Sequence, residues 1–168
     1  MIKPDRLRKL LTSTIPIFQT NPEKLILQFD NGKIKLTGGN TPSFEYHYDL
    51  LISVADFPSH PDVLFVPLNE FIRIEQSELL FNKDNWAKIT FDLDRNNNNT
   101  YNIFISVPLT ERVIVKDEDG GYKAYHGNEP QINENNPLSK LQIYLKYQAD
   151  EEAPQLIFDS ENSDGNSG

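Results

Sequence analysis

The sequence predicts one α+β domain, in which a mixed, mainly antiparallel sheet has two helices packed on one face. Apolar and polar residues alternate through residues 43–57, and the same period-two pattern returns in residues 101–115. Residues 4–14 and 61–76 instead space their apolar side chains as one face of a helix. Long strands combined with separate helices are typical of α+β domains.

Composition excludes several classes of protein. The 168 residues contain no cysteine, which excludes disulfides, thiolate metal sites and thiol nucleophiles and fits a reducing cytosol. No apolar run approaches the roughly 20 residues that a membrane helix needs. The basic N-terminus lacks the apolar core of a signal peptide. We therefore expect neither export nor a membrane partner.

The net charge of −9 is unevenly distributed. Residues 150–168 carry six acids and no base, so the other 149 residues hold only −3. Basic residues cluster only near the N-terminus, at Lys3, Arg6, Arg8 and Lys9. That cluster is thin for a nucleic-acid surface, so we do not expect direct nucleic-acid binding.

The first predicted helix, residues 4–14, is amphipathic. Pro4 suits its first position, where a missing N–H costs nothing. Leucines share one face, at Leu7, Leu10 and Leu11. Bases share another, at Lys3, Arg6 and Lys9. The basic face is either solvated or docked on an acidic partner.

The next segments predict strands. Residues 25–29 and 33–37 flank Asn31–Gly32, which favours a two-residue hairpin turn between them. In 43–57 the apolar face holds Phe44, Tyr46, Tyr48, Leu50, Ile52 and Val54. His47 lies on the polar face between two acids, a pattern that zinc can use, but no second histidine is nearby. We interpret it as a surface residue and expect no metal site.

The second helix, residues 61–76, contains Pro67. Either the helix kinks there, which we favour, or residues 62–66 are extended and the helix begins at the proline. We interpret His60–Pro61–Asp62 as the N-terminal cap of this helix.

Residues 87–94 and 101–115 predict a hairpin joined by an asparagine-rich turn. A calcium loop beginning at Asp92 would need glycine at its sixth position and glutamate at its twelfth, where this sequence has Asn97 and Ile103. The predicted core contains Phe44, Tyr46, Leu50, Ile52, Phe91, Ile103 and Ile105.

The triplet Thr110–Glu111–Arg112 interrupts the apolar pattern of the second strand of this hairpin. In a straight strand Glu111 shares the apolar face with Leu109 and Val113, and a buried unpaired carboxylate is costly. Either the strand bulges near Pro108 or Glu111 has a partner. The proline also places the strand at a sheet edge or a bulge. Another chain could bind at such an edge, or the proline and the charged side chains could simply prevent other chains from pairing with a monomer there.

The C-terminal part is less regular. Residues 117–121 predict a turn, 127–137 a linker, and 141–147 a last short strand. We predict a domain over residues 1–148 and an acidic, disordered tail over residues 149–168, with a small apolar patch at Leu156–Phe158.

At the level of motifs the chain resembles the tail completion protein R family of temperate phages with contractile tails. The matching segments appear in order: IKPDRLRKLLT, TNPEKLILQFDNGKI, SFEYHYDLLISVADF, VLFVPL and LTERVIV. They cover about residues 2–115, with a weaker similarity at Glu129–Pro130 and in LQIYL. The asparagine run and the acidic end are not part of this pattern.

The resemblance implies a tail-terminator-like fold and a structural virion protein, with no cofactor and no catalytic residues. It implies a ring-shaped homo-oligomer, expected to be a hexamer, that caps the head-proximal end of the tail. Such a ring ends tube or sheath polymerisation and prepares head–tail joining. The implied partners are the tail tube or sheath protein and the head–tail connector, and assembly would occur in the cytoplasm of the bacterial host.

In that setting the polar triplet becomes a candidate subunit contact. We predict that Thr110, Glu111 and Arg112 meet Arg6 and Lys9 of the next subunit, the alternative being an internal partner for Glu111. A monomeric assembly chaperone or inhibitor acting through the acidic tail is the alternative function. An enzyme is disfavoured, because the three histidines are scattered and no nucleophile elbow, phosphate loop or metal spacing is present.

Overall fold

The computed structural model describes residues 1–127, 140–146 and 153–161. Within these ranges the chain forms a five-stranded sheet with helices against it and a separate two-stranded hairpin. The helices are α1 (Lys3–Thr14), α2 (Ile17–Thr20), α3 (Asp62–Glu75) and α4 (Glu78–Phe81). The strands are β1 (Leu25–Leu36), β2 (Phe44–Phe57), β3 (Thr90–Arg95), β4 (Tyr101–Glu118), β5 (Gly121–His126), β6 (Gln142–Leu145) and β7 (Gln155–Asp159). The predicted α+β class is confirmed.

The sheet has the order β1-β2-β4-β3, and β5 pairs with the far end of β4. Each pairing in the described ranges is antiparallel. The long strands β2 and β4 form its centre, with Ile52 opposite Ile105 and Val54 opposite Ile103. Their alternation gives one face that is buried against the helices.

The predicted core is confirmed at Leu50, Ile52, Ile103 and Ile105, all of which are buried. Phe44 and Tyr46 are only half-buried.

The prediction that Phe91 is a core residue is wrong, since it is 56% exposed. Its face was predicted correctly, because it lies opposite the buried Ile105. However, β3 is the outer strand, and the Phe91 ring contacts Phe65 of α3 at a centroid distance of 5.0 Å while much of it faces solvent.

The predicted hairpin at Asn31–Gly32 is also wrong. Both halves of this segment pair with β2, from Leu25 opposite Val54 to Leu36 opposite Phe44, so they form one continuous strand. The register shifts between Asp30 and Lys33, and Asn31 has φ 52°. Asn31 and Gly32, which tolerate positive φ, therefore form a β-bulge. The 14-residue partner strand β2 holds the chain extended on both sides of them.

Both predicted helices are confirmed. The leucines of α1 and the apolar face of α3 are buried together over the sheet, at Leu7, Leu11, Leu64, Leu68 and Phe71. Helix α3 begins at Asp62 and contains Pro67, so the extended alternative for residues 62–66 is wrong. Pro61 is the N-cap residue, so His60–Pro61–Asp62 does mark the start of the helix, and the Asp62 N–H donates to Nδ1 of His60 at 3.2 Å.

The asparagine run is a turn, as predicted. The Asn96 N–H donates to the Thr100 carbonyl at 2.8 Å, and Asn99 has φ 62°. The predicted turn at residues 117–121 is confirmed as well, with Asp119 and Gly120 at positive φ.

Strand β6 confirms the last predicted strand, but the prediction of disorder throughout the tail is wrong for residues 153–161. Strand β7 pairs with β6, and Ser160 N–H donates to the Leu141 carbonyl at 2.9 Å. Leu141 and Ile143 join the main core, with Ile157 and Phe158 packed against it. The segment is ordered despite its acidic composition, because apolar side chains on both strands pack against the core.

The predicted linker, beyond residue 127, lies outside the described residues, as does the rest of the tail. The division at residue 148 stays a prediction. None of the described helices is long and apolar enough to cross a membrane.

Candidate functional site: the Glu111 cluster

On one side of β4, residues 107–112 have no strand partner in the described ranges, and we call this stretch the gap. Its pairing with β3 ends at Ser106, and its pairing with β5 begins at Val113. On the other side β2 pairs through the same stretch without a register shift. Of the two predictions for this strand, the described structure thus shows a local edge and no bulge at Pro108.

Pro108 is compatible with this position because its missing N–H faces the gap. The Thr110 N–H donates into the gap, to Oε1 of Gln76, and the Arg112 carbonyl accepts from Gly127 N–H on the same side. Residues two apart in a strand present their backbone groups to the same side. A proline at position 108 therefore costs no hydrogen bond to β2.

Gln76, the residue that ends α3, fills the gap with its side chain. Its Oε1 accepts from Thr110 N–H at 3.0 Å and from Nζ of Lys3 at 2.7 Å. Its Nε2 lies 2.6 Å from Oε1 of Glu78 and 3.0 Å from Oγ1 of Thr110. A buried amide with its oxygen and nitrogen both paired substitutes here for a neighbouring strand.

Glu111 lies on the helix-covered face of β4, between Leu109 and Val113, and is only 4% exposed. Its carboxylate accepts from Ile2 N–H at 2.7 Å, Lys3 N–H at 3.3 Å and the Tyr48 hydroxyl at 2.6 Å. Nδ1 of His126 is 3.4 Å from Oε2. We call these residues, with Gln76, Glu78 and Thr110, the Glu111 cluster.

The carboxylate acts as a cap for α1. The first N–H groups of a helix have no partner within it, and Ile2 has no side chain that could supply one. Glu111 supplies it from a strand more than a hundred residues away, where its negative charge also faces the positive end of the helix dipole. The cluster thereby ties the start of α1 to the centre of the sheet.

Tyr48 remains a neutral donor in this environment. Burial raises its pKa far above the ordinary range, and the hydrogen bond and negative charge of Glu111 raise it further. A phenolate here would face a carboxylate in a site with little water, so the hydroxyl keeps its proton.

The residues predicted as a subunit contact divide into two groups. Glu111 and Thr110 have partners within the chain, as described above, so the internal alternative for Glu111 is confirmed. Arg6 forms a two-pronged ion pair with Glu75, at 2.8 and 3.0 Å, while half of its side chain is exposed. Arg112 and Lys9 are exposed. That these side chains contact a second subunit stays a prediction.

Sequence reasoning missed Tyr48 and Gln76. Tyr48 looked like one more apolar residue in an alternating strand, and Gln76 like the polar end of a helix. No local pattern links either of them to Glu111, because the link is made only when β2, β4 and α3 pack together.

The described residues contain no group of three or more His, Asp or Glu side chains that could hold a metal ion. The imidazole of His47 contacts the carboxylate of Glu45, and both side chains are partly exposed on the polar face of β2.

The Glu111 cluster joins a helix to a sheet, and its polar groups bond to one another, as in a structural protein. The family model described as P2 phage tail completion protein R (GpR) matches residues 1–130. Tail completion protein R of Escherichia phage P2 is 37% identical over 147 residues, which are 86% of this chain and 94% of that protein. No solved structure matches.

The chain therefore belongs to the P2 phage tail completion protein R family, as its motifs indicated. Its role is structural, in completing the phage tail, and it is a virion protein of tail assembly.

Proposed function

We propose that this tail completion protein assembles as a ring, expected to contain six copies, on the head-proximal end of the tail. The ring ends polymerisation of the tube or sheath and offers its other side to the head–tail connector. It assembles in the cytoplasm of the bacterial host and acts without catalysis.

The observation that carries this proposal is the presence of two separate exposed apolar surfaces. One lies on the edge strand β1 and includes Ile34 and Leu36. The other, which we call the α4 surface, lies after α3 and includes Phe81 of α4 and Trp86. Large exposed apolar patches mark interaction sites on soluble proteins. A ring subunit needs one surface for its neighbours and another for the structure that it caps.

The α4 surface is suited to a partner other than a second copy. Trp86 is fixed in place by a hydrogen bond from its Nε1 to the Leu80 carbonyl, at 2.9 Å, and Lys83 lies over its ring. An exposed tryptophan oriented by a hydrogen bond is typical of residues that dominate binding energy at interfaces. We assign this surface to the tail tube or sheath protein.

The test is solution mass and negative-stain microscopy of the purified protein, alone and mixed with tail tube or sheath protein. We expect rings of one size, and tubes that stop growing with a ring at one end. Phe81→Ala with Trp86→Ala should keep the rings but no longer cap tubes. Val66→Ala, an exposed apolar control on α3, should both form rings and cap tubes.

A protein that stays monomeric at micromolar concentration yet still blocks polymerisation would support the assembly chaperone instead. Rings of the double variant that cap tubes normally would remove the α4 surface from the proposal.

A further inference from the structure

We propose that the ring is built by sheet extension, in which the outer edge of β1 in one copy pairs with the outer edge of β5 in the next. This inference rests on the proposed ring and names the surfaces that form it.

The first of these surfaces is the outer edge of β1. The strand is 12 residues long and stands at the end of the sheet order, so β2 is its only strand partner within the described ranges. Between Ile26 and Leu36 no backbone group on the outer side is hydrogen-bonded to another backbone group of the described chain. Such an edge can accept another strand.

The side chains of this edge are apolar on one face. Cross-strand pairing puts Ile34 opposite Tyr46 and Leu36 opposite Phe44, on the face that the helices cover elsewhere. Ile34 is 62% exposed and Leu36 is 80% exposed. The Phe44 and Tyr46 rings contact each other edge to face, with centroids 4.9 Å apart. These four residues form a continuous apolar surface, which we call the β1 patch.

The edge is only partly protected against association. Lys33 and Lys35 project from the opposite face of the sheet, since they pair with His47 and Glu45. The lysines therefore leave the β1 patch itself without a charge, and β1 contains no proline. In a chain whose role is assembly, this is the arrangement of a contact surface.

The second surface is β5, which borders the same sheet on its far side. All six of its residues are exposed, and β4 is its only strand partner in the part of the chain that the structure describes. Its register puts Tyr122 opposite Asp117 and Ala124 opposite Val115, so both side chains share the face of the β1 patch. Tyr122 is 69% exposed. Pairing of the two edges would lay Tyr122 against Ile34 or Leu36.

The two edges define a head-to-tail contact. They lie on opposite sides of one sheet, so each copy offers β1 to one neighbour and β5 to the other. Such heterologous contacts close into a ring when the rotation per subunit allows it. The right-handed twist between neighbouring strands supplies a rotation at each junction. Because backbone bonds and apolar side chains carry the contact, the ring should tolerate high salt.

The test uses Leu36→Lys and Tyr122→Lys, with Val66→Lys as an exposed apolar control on α3. Both test positions are exposed, so each variant should keep the wild-type circular dichroism. We expect Leu36→Lys and Tyr122→Lys each to raise the dissociation constant by roughly thirtyfold or more, which corresponds to about 2 kcal/mol. By size exclusion with light scattering at low micromolar concentration, both should be monomers and Val66→Lys a ring.

Mixing the two variants distinguishes this contact from a symmetric one. Each variant keeps one intact edge, so an equal mixture should form one-to-one dimers that cannot grow. A symmetric β1–β1 contact would leave Tyr122→Lys assembled with itself and give no dimer that contains both variants on mixing, which would overturn the proposal. Intact rings of Leu36→Lys would also overturn it while the ring itself stands, whereas a monomeric wild type would overturn the proposed function.

Discussion

Replacement of Glu111 by alanine tests whether the cluster holds α1 to the sheet. The substitution removes the acceptor of two backbone N–H groups at the start of α1 and of the Tyr48 hydroxyl. The space that it leaves is buried, so water can replace the carboxylate only where Ile2 is half-exposed.

The expected cost follows from these contacts. Hydrogen bonds to a charged group contribute about 1.5–3 kcal/mol each, and removing one member of a buried charged set costs about 3–5 kcal/mol. The Lys3 contact is long, at 3.3 Å, and Ile2 can be rehydrated in part, so we expect about 3 kcal/mol. Glu111→Gln keeps one oxygen acceptor, but its amide NH2 then faces groups that are themselves hydrogen-bond donors. This variant should cost about 2 kcal/mol.

The assay is urea unfolding followed by far-ultraviolet circular dichroism at two protein concentrations, with Arg112→Ala as the exposed neighbour. An internal role predicts the same loss at both concentrations and a change within about 0.5 kcal/mol for the control. A loss that appears only where the protein is assembled would instead place Glu111 at a subunit contact. A loss below about 1 kcal/mol at both concentrations would refute the capping argument.

Three further predictions concern the hydroxyl partner, the sheet edge and the C-terminal hairpin. Because the pKa of Tyr48 is raised above its ordinary value of 10.0, its contribution is complete below that pH and is lost as pH rises further. The unfolding free energy of the wild type should therefore fall more steeply than that of Tyr48→Phe above pH 10, by up to about 1.4 kcal/mol per pH unit; parallel curves would contradict this. In urea unfolding, Phe91→Ala should lower the free energy of unfolding by only about 1 kcal/mol, and Ile105→Ala, at a buried position, by about 2–5 kcal/mol. Equal losses would mean that Phe91 is buried as well. A chain ending at residue 150 lacks β7 and should lose about 2 kcal/mol and melt earlier than one ending at residue 161, unless the hairpin contributes nothing to the core.

The sequence by itself determined the features that depend on local spacing. Alternation placed Leu50 and Ile105 on the buried face, helical spacing located α1 and α3, and asparagines marked the β3–β4 turn. Each of these follows from backbone geometry over a few residues, because strands repeat every two residues and helices every 3.6. The family motifs, which are local too, indicated the same family that the comparisons show.

Only the tertiary structure decided which partner each segment meets. Asn31–Gly32 has the residues of a hairpin turn, yet it became a bulge because β2 pairs with both of its flanks. Phe91 points to the face that the sequence predicted but stays 56% exposed, since β3 is the outer strand and the contact with Phe65 of α3 covers only part of the ring. The sequence placed Glu111 on the apolar face without showing what would satisfy it. Its hydrogen-bond donors lie 63 to 109 residues away in the chain, and no periodicity reports a contact that exists only after packing.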